Sequence, residues 1–532
     1  MNKRQLFYGL LVACLLCVMV TTPEAHASSK SNSTLHYGST KDIGDLNPHL
    51  YSGEMAAQNM IYERLVACDG TDIKPALATS WDISDDGLTY TFHLRENVLF
   101  SNGDKLTAQD VKANFDAVLA NKERHSWMGL INEIADTNAA DDSTFVLTLK
   151  RSYYPTLTEL SLVRPFGIAS PKTFKNGGTK DGVTDYIGTG PYKLSSHKQN
   201  KEAVFSENPY YWGDKPKLKT IDWQVISSFQ SLQLALEKGS IDLIYGSDGD
   251  QLSSDTLQSL KNNSHFSVYL SKPNAVRSVL LNTNRSALKD IAVRKAISYG
   301  IDKKEIVSGV LDNVETVANT IFPSSAPYMD KIDLKKITYN AQKANSILDK
   351  AGYVLDDKTG YRTKNGRELS LTFSCNAQNA QEESIAQVIQ SQLKAIGIKV
   401  DVVSEDKQTY LARQKDGDFD MQYSLSWGAP YDPQTYLSSW AVSGNGHGDY
   451  QAQLGLAKKE WLDQEIKTAI LSTNDEDRQE AYRQVMTYIS DEYVYVPISF
   501  SCTKAVACSQ LKGIYFPTSQ YEIPFAHMYF KS

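Results

Sequence analysis

The sequence predicts an α/β protein of two or three domains, and three observations carry that prediction. At 532 residues the chain is too long for a single hydrophobic core. A strand over 88–94 alternates apolar and polar residues and precedes a helical stretch over 108–120. Further along, Ile385, Ile389, Leu393 and Ile396 line one helical face that Gly397 stops, and a strand over 398–403 follows at once. A helix feeding directly into a strand is the repeating unit of layered α/β domains.

Taken in order, the chain begins with a targeting segment. Lys3 and Arg4 precede an apolar run over 6–20, and Ala25-His26-Ala27 supplies a small-x-small cleavage signal. The expectation is export, with a mature chain starting near Ser28. Leu11-Val12-Ala13-Cys14 looks like a lipoprotein box, but the apolar run continues past Cys14, which favours simple secretion over a lipid anchor. No later segment approaches the roughly 18 apolar residues that span a bilayer. A first strand is expected over 35–39, a Pro-containing loop over 45–51 and a helix over 55–64. Ala344, Ile347, Leu348 and Ala351 mark one more helical face, closed by Gly352.

The totals exclude several classes of function. Net charge is −7 with no basic run, which argues against nucleic acid and anionic membranes as partners. The cysteines outside the leader, Cys68, Cys375, Cys502 and Cys508, form neither a CxxC nor a zinc spacing and are read as free thiols. Asp248-Gly249-Asp250 lacks the later Glu of a calcium loop, and there is no Gly-x-Ser-x-Gly elbow or P-loop. The reading is a binding protein, not an enzyme. Tyrosine is plentiful at 30 residues, a stackable ring with a hydroxyl that suits polar-ligand surfaces and sheet edges alike.

One stretch stands out, 426–450. Pro430, Pro433 and Gly428 exclude a helix over 427–433 and fix a rigid turn that holds the rings of Trp427 and Tyr431. The glycine-rich tip 444–448 then carries His447. Rigid aromatics followed by one imidazole suit a small-molecule or metal-chelate pocket; a surface loop whose rings pack inward is the alternative.

The run from Trp81 to Arg95, continuing through Phe100, Gly103, Asp110 and Val111, resembles the signature of the peptide/nickel solute-binding proteins of ABC importers. Further blocks follow in order: Gly188-Thr-Gly-Pro-Tyr192, Asn208-Pro-Tyr-Tyr-Trp-Gly213, Gly239-Ser-Ile-Asp242, Leu281-Asn-Thr283, Val293-Arg-Lys-Ala296 and Ile301-Asp-Lys303. The resemblance implies a two-lobed periplasmic-binding-protein fold of the class II type with an additional inserted α/β domain. It places a signal peptide at 1–27, lobe I at 28–60, 187–270 and 502–532, the insert at 61–186, and lobe II at 271–501.

Within that family the chain is similar to the branch that binds nickel, or cobalt, as a chelate. The resemblance rests on 47–51, 124–127, Tyr153-Tyr-Pro155, Arg164-Pro-Phe166, Tyr410, 427–433, His447 and Glu522-Ile-Pro-Phe525. Peptide-binding members generally lack the Arg-Pro-Phe step and the histidine loop; an oligopeptide or dipeptide cargo is the alternative. The branch implies Ni(II) wrapped in an organic chelator, either L-histidine or a nicotianamine-like opine, because one histidine does not hold nickel alone. Arg164 and Arg124 would meet the chelator's carboxylates. Trp127, Trp427, Tyr51, Tyr410 and Tyr431 would supply flat walls, Met55 an apolar side, and His447 one nitrogen ligand to the metal. His447 marks the nickel-histidine type, whereas Arg413 and the start 41–45 mark the opine type. His49 and His125 are read as structural. The implied partners are the chelate and the permease subunits of the importer, and the implied state is an exported monomer, periplasmic or at the cell surface.

Overall fold

The strand Thr34–Ser39 enters the middle of a seven-stranded sheet, where it runs parallel to both Thr220–Val225 and Leu243–Tyr245. This is a computed structural model, and it describes residues 32–246, 252–285, 287–377, 379, 381–441 and 447–531. The cleavage signal, Asp248-Gly249-Asp250 and the tip 444–446 therefore lie outside the described residues. The antiparallel strands Tyr192–Lys198 and Glu202–Glu207 complete one edge of this sheet. On the other side, Lys504–Cys508 returns from near the C-terminus to pair with both Leu243–Tyr245 and Phe266–Leu270. A strand from near the start of the described chain and one from near its end thus share this sheet.

A six-stranded sheet forms the second lobe, with Ala275–Leu281 near its middle. All seven residues of that strand are buried, as expected where both faces are covered. Ser370–Asn376, the helix Glu382–Lys394 and Lys399–Glu405 make a strand–helix–strand unit with parallel strands. The helix face read from the sequence, Ile385, Ile389 and Leu393, is buried.

Two short segments cross between the sheets side by side, 271–274 and 502–503. Ser271 N–H donates to the Thr503 carbonyl at 3.0 Å, and Asn274 N–H donates to that of Ser501 at 3.0 Å. The Asn274 side chain adds a bond to Thr503 Oγ1 at 2.8 Å. Two antiparallel connections of a few residues each are able to serve as a hinge between packed sheets.

A third, four-stranded antiparallel sheet is built from Ala78–Ile83, Thr89–Leu94, Thr144–Leu149 and Ile134–Ala139. The predicted alternation in Thr89–Leu94 appears as alternating half-buried and buried residues. The helix Ala108–Leu119 packs on this sheet, its start closed by Asp110, which accepts from Thr107 N–H at 2.8 Å.

One element is shorter than expected. The helix beginning at Met55 ends at Ile61, not near Arg64, because Tyr62 is extended. The next carbonyls serve other segments instead: Gly190 N–H donates to Ile61 at 2.8 Å and Ile168 N–H to Glu63 at 2.9 Å. The Gly188-Thr-Gly190 block makes that approach possible, since a Cβ on Gly188 would fall 2.2 Å from the Ile61 carbonyl oxygen. Cys68, Cys375, Cys502 and Cys508 are free thiols.

Candidate functional site: an aromatic cleft between the lobes

The turn 427–433 is held from inside and from across the cleft. Asp432 is buried, and its carboxyl oxygens accept from the N–H groups of Trp427 at 3.1 Å and Gly428 at 2.8 Å. Burial pushes that carboxyl up to about 7, against the opposing pull of its hydrogen-bond donors. Gly428 has φ +73°, and a Cβ there would fall 2.8 Å from the Asn274 carbonyl oxygen in the crossing segment. From beyond the hinge, Gln520 donates to the Trp427 carbonyl at 2.7 Å.

This frame fixes the Trp427 ring at the centre of an aromatic cluster. Its centroid lies 5.4 Å from Trp127, 6.0 Å from Tyr431, 5.2 Å from Tyr436 and 5.4 Å from the imidazole of His447. His447 stands immediately before the helix Gly448–Gln453. That helix start is anchored by Asp449 Oδ1, which accepts from Tyr436 at 2.8 Å, Ser424 at 2.9 Å and Tyr495 at 2.9 Å. Burial lowers the imidazole pKa of His447 while the Asp449 charge opposes it, and the net fall favours the neutral ring that can ligate a metal.

The facing wall comes from far away in sequence. Tyr51 Oη accepts from the Trp127 indole N–H at 2.9 Å and lies 2.6 Å from His125 Nδ1. Arg124 is exposed, sits 5.5 Å from the Tyr51 ring centroid, and makes no ion pair among the described residues. Arg164 is only 8% exposed; it donates from Nε to Gln58 at 2.7 Å and from Nη2 to the Gly53 carbonyl. Its charge, with that of Arg124, acts on the Tyr51 hydroxyl, whose pKa burial nonetheless raises well above the usual value. Tyr431 reaches across the cleft, its hydroxyl 3.8 Å from Met55 Sδ and its ring 5.5 Å from Tyr521.

Eight of the ten predicted positions therefore converge: Tyr51, Met55, Arg124, Trp127, Arg164, Trp427, Tyr431 and His447. Two stand apart. Tyr410 is buried behind the cleft, with its hydroxyl donating to the Tyr423 carbonyl at 3.2 Å. Arg413, on the helix Lys407–Asp416, is clamped to Glu405 at 2.6 Å and to Asp418 at 3.2 Å. Both carboxylates are local to its own lobe, so its guanidinium is already engaged there. His49 lies outside the cluster, between Thr179 Oγ1 at 2.9 Å and the Gly167 carbonyl at 3.3 Å, and burial pushes its pKa down to about 3. Two participants escaped the sequence reading, Tyr436 and Tyr521, while His125, read there as structural, stands against Tyr51. Tyr521 directly precedes the Glu522-Ile-Pro-Phe525 block, which was its available signal. Among the described residues, no group of three His, Cys, Asp or Glu side chains is placed to hold a metal.

On the other face of the turn, Pro430 and Asp432 border a cavity of about 830 Å³. Its walls are mostly apolar, including Val268, Pro273, Tyr154 and Tyr515.

Two lobes joined by a double crossing, with a ring-walled cleft between them, define an extracellular solute-binding protein. The chain belongs to the bacterial extracellular solute-binding proteins, family 5 (Middle), which it matches over residues 72–448. It is 41% identical over 487 residues to the nickel-binding periplasmic protein of Escherichia coli K12, covering 91% of this chain and 92% of that one. It is 26% identical to heme-binding protein A of Haemophilus influenzae over 93% of this chain and 92% of that protein. Among solved structures, NikA from Brucella suis in complex with Fe(III)-EDTA superposes with a TM-score of 0.90 at 41% identity, covering 94% of this chain and all of that one. No helix among the described residues is long and apolar enough to cross a membrane.

Proposed function

We propose that this protein captures a nickel or cobalt chelate outside the cytoplasm and delivers it to the permease of an ABC importer. The observation that carries this reading is the convergence of His447, Trp427, Trp127, Tyr51 and Arg124 from three distant stretches of chain. His447 offers one neutral nitrogen within a wall of rings, too few ligands for Ni²⁺ by itself, so the metal arrives with its own ligands. Arg124 faces the cleft as a cation for the chelator's carboxylates, and Arg164 extends the positive field from a buried position. Membership of the family and the 41% identity to a nickel-binding periplasmic protein support the reading.

The chelator is a small one such as L-histidine. The engagement of Arg413 with Glu405 and Asp418 favours that class over a nicotianamine-like opine, for which Arg413 was the distinguishing mark. We assign 28–60, 187–270 and 502–532 to one lobe, 271–501 to the other and 61–186 to the insert; the exported protein acts as a monomer. Rotation about the paired crossing segments closes the lobes on the ligand, and the closed form is the one a permease reads.

The 830 Å³ cavity favours a second reading, a peptide cargo whose apolar side chains occupy that space. Calorimetric titration of the mature protein separates the two, using Ni²⁺ alone, Ni²⁺ with excess L-histidine, an opine metallophore complex and short peptides. Heat from nickel-histidine that disappears in His447→Ala is the expected result. Heat from peptides alone would sink the nickel reading.

A further inference from the structure

His125 is a buried histidine that the fold scarcely uses. Its side chain is fully covered, and Nε2 has no hydrogen-bond partner among the described residues. The one hydrogen bond of its side chain among the described residues is to Tyr51 Oη, at 2.6 Å. Burial and the neighbouring charge of Arg124 push the imidazole pKa down to about 4, so the ring is neutral at physiological pH. A neutral imidazole either donates through Nδ1 or accepts there, and the choice fixes the Tyr51 proton. If Nδ1 donates, Tyr51 Oη accepts from both His125 and Trp127 and turns its own proton toward the cleft. If Nδ1 accepts, the Tyr51 proton points at His125 and the cleft meets a phenolic lone pair.

Two observations favour the second arrangement, which leaves the ring proton on Nε2. A separation of 2.6 Å is short for an N–H donor, whose bonds run about 2.7–3.2 Å, and ordinary for an O–H donor. The positive charges of Arg124 and Arg164 both act on the Tyr51 hydroxyl, and nearby cations favour a phenol that gives its proton to a neutral acceptor.

We infer that His125 is a specificity-determining positioning residue: it takes the Tyr51 proton, so that Tyr51 accepts a hydrogen bond from a primary-amine N–H of the bound chelate and offers none to a carboxylate. The inference rests on the nickel-chelate reading and goes one step beyond it. Carboxylates of the ligand then fall to the arginines, and ligands whose nitrogens carry no hydrogen gain nothing from Tyr51.

The test compares nickel with excess L-histidine, which retains amine N–H groups, against nickel–EDTA, whose nitrogens are tertiary. His125→Phe keeps an aromatic ring but removes the acceptor, freeing the Tyr51 proton for carboxylates. Affinity for nickel-histidine is expected to fall about fivefold to tenfold while that for nickel–EDTA holds or rises. In a Tyr51→Phe background the same change should leave the ratio of the two affinities unmoved. An equal loss for both complexes, or an undiminished shift of the ratio without the Tyr51 hydroxyl, overturns the inference. Should His125→Phe fail to fold, ¹⁵N-resolved spectra of the unaltered protein decide: a proton on His125 Nε2 supports the inference and one on Nδ1 overturns it alone. Absence of binding by either complex to the unaltered protein sinks the nickel-chelate reading, and this inference with it.

Discussion

Two arginines that look equivalent in the sequence differ in what surrounds them. Arg413 already has its carboxylates, Glu405 and Asp418, whereas Arg124 stands against the Tyr51 ring without an ion pair among the described residues. A charge-assisted hydrogen bond contributes about 1.5–3 kcal/mol, so Arg124→Ala should weaken chelate binding on the order of tenfold or more. Arg413→Ala should leave affinity within about twofold, since Glu405 and Asp418 already hold its guanidinium within its own lobe. Titration calorimetry on both variants checks the contrast. A loss at Arg413 as large as that at Arg124 would show that the lobe rearranges around the ligand.

The elements owe their positions to a few close approaches that only glycine permits. The short helix Met55–Ile61 presents Met55 to Tyr431 because its end is gripped by the Gly188-Thr-Gly190 segment. A Cβ on Gly188 would meet the Ile61 carbonyl oxygen at 2.2 Å, and backbone has no rotamer by which to escape. Gly188→Ala is therefore expected to cost about 1–3 kcal/mol, read as a lower denaturation midpoint. Gly70→Ala, at an open position, serves as the control for a glycine whose new Cβ meets nothing; its φ of +64° leaves only backbone strain. A Gly188 variant no less stable than Gly70→Ala would overturn the packing argument.

For the whole molecule, the cleft is bridged by bonds that no single lobe could make. Glu159, in the segment assigned to the insert, accepts from Thr435 at 3.2 Å on the other side, and from Tyr153 at 2.8 Å and Leu130 N–H at 2.8 Å on its own. Burial lifts this carboxyl from 4.5 to about 7. The unfolded chain releases the proton near 4.5 and the folded one holds it to about 7, so folding takes up a proton across that window. Stability from this group is full below pH 4.5 and declines as pH rises towards 7, with Asp432 adding in the same direction. His49 and His125, whose imidazoles burial holds neutral to about 3 and about 4, act in the opposite sense below pH 6.5, so the Glu159 share is read as a difference: thermal midpoints of Glu159→Gln between pH 4.5 and 7.5 should fall less with rising pH than those of the unaltered protein. An unchanged slope in that variant would place the titration elsewhere.

Much of this protein is legible in its sequence. The α/β units, the strand alternation at 89–94, the proline-held turn at 427–433 and the family blocks are all local, because periodicity and backbone restriction act between near neighbours in the chain. What the tertiary structure alone decided is which distant residues meet. Tyr51, Arg124, Trp127 and His447 lie hundreds of residues apart at the extremes, and only the packing of all three large sheets against one another brings them together. The same packing engaged Arg413 with its own lobe, bonded the buried Tyr410 to Tyr423 and set the His125 imidazole against Tyr51. Residue type states what chemistry a side chain can do; its neighbours in space, set by long-range burial, determine what it has left to offer a ligand.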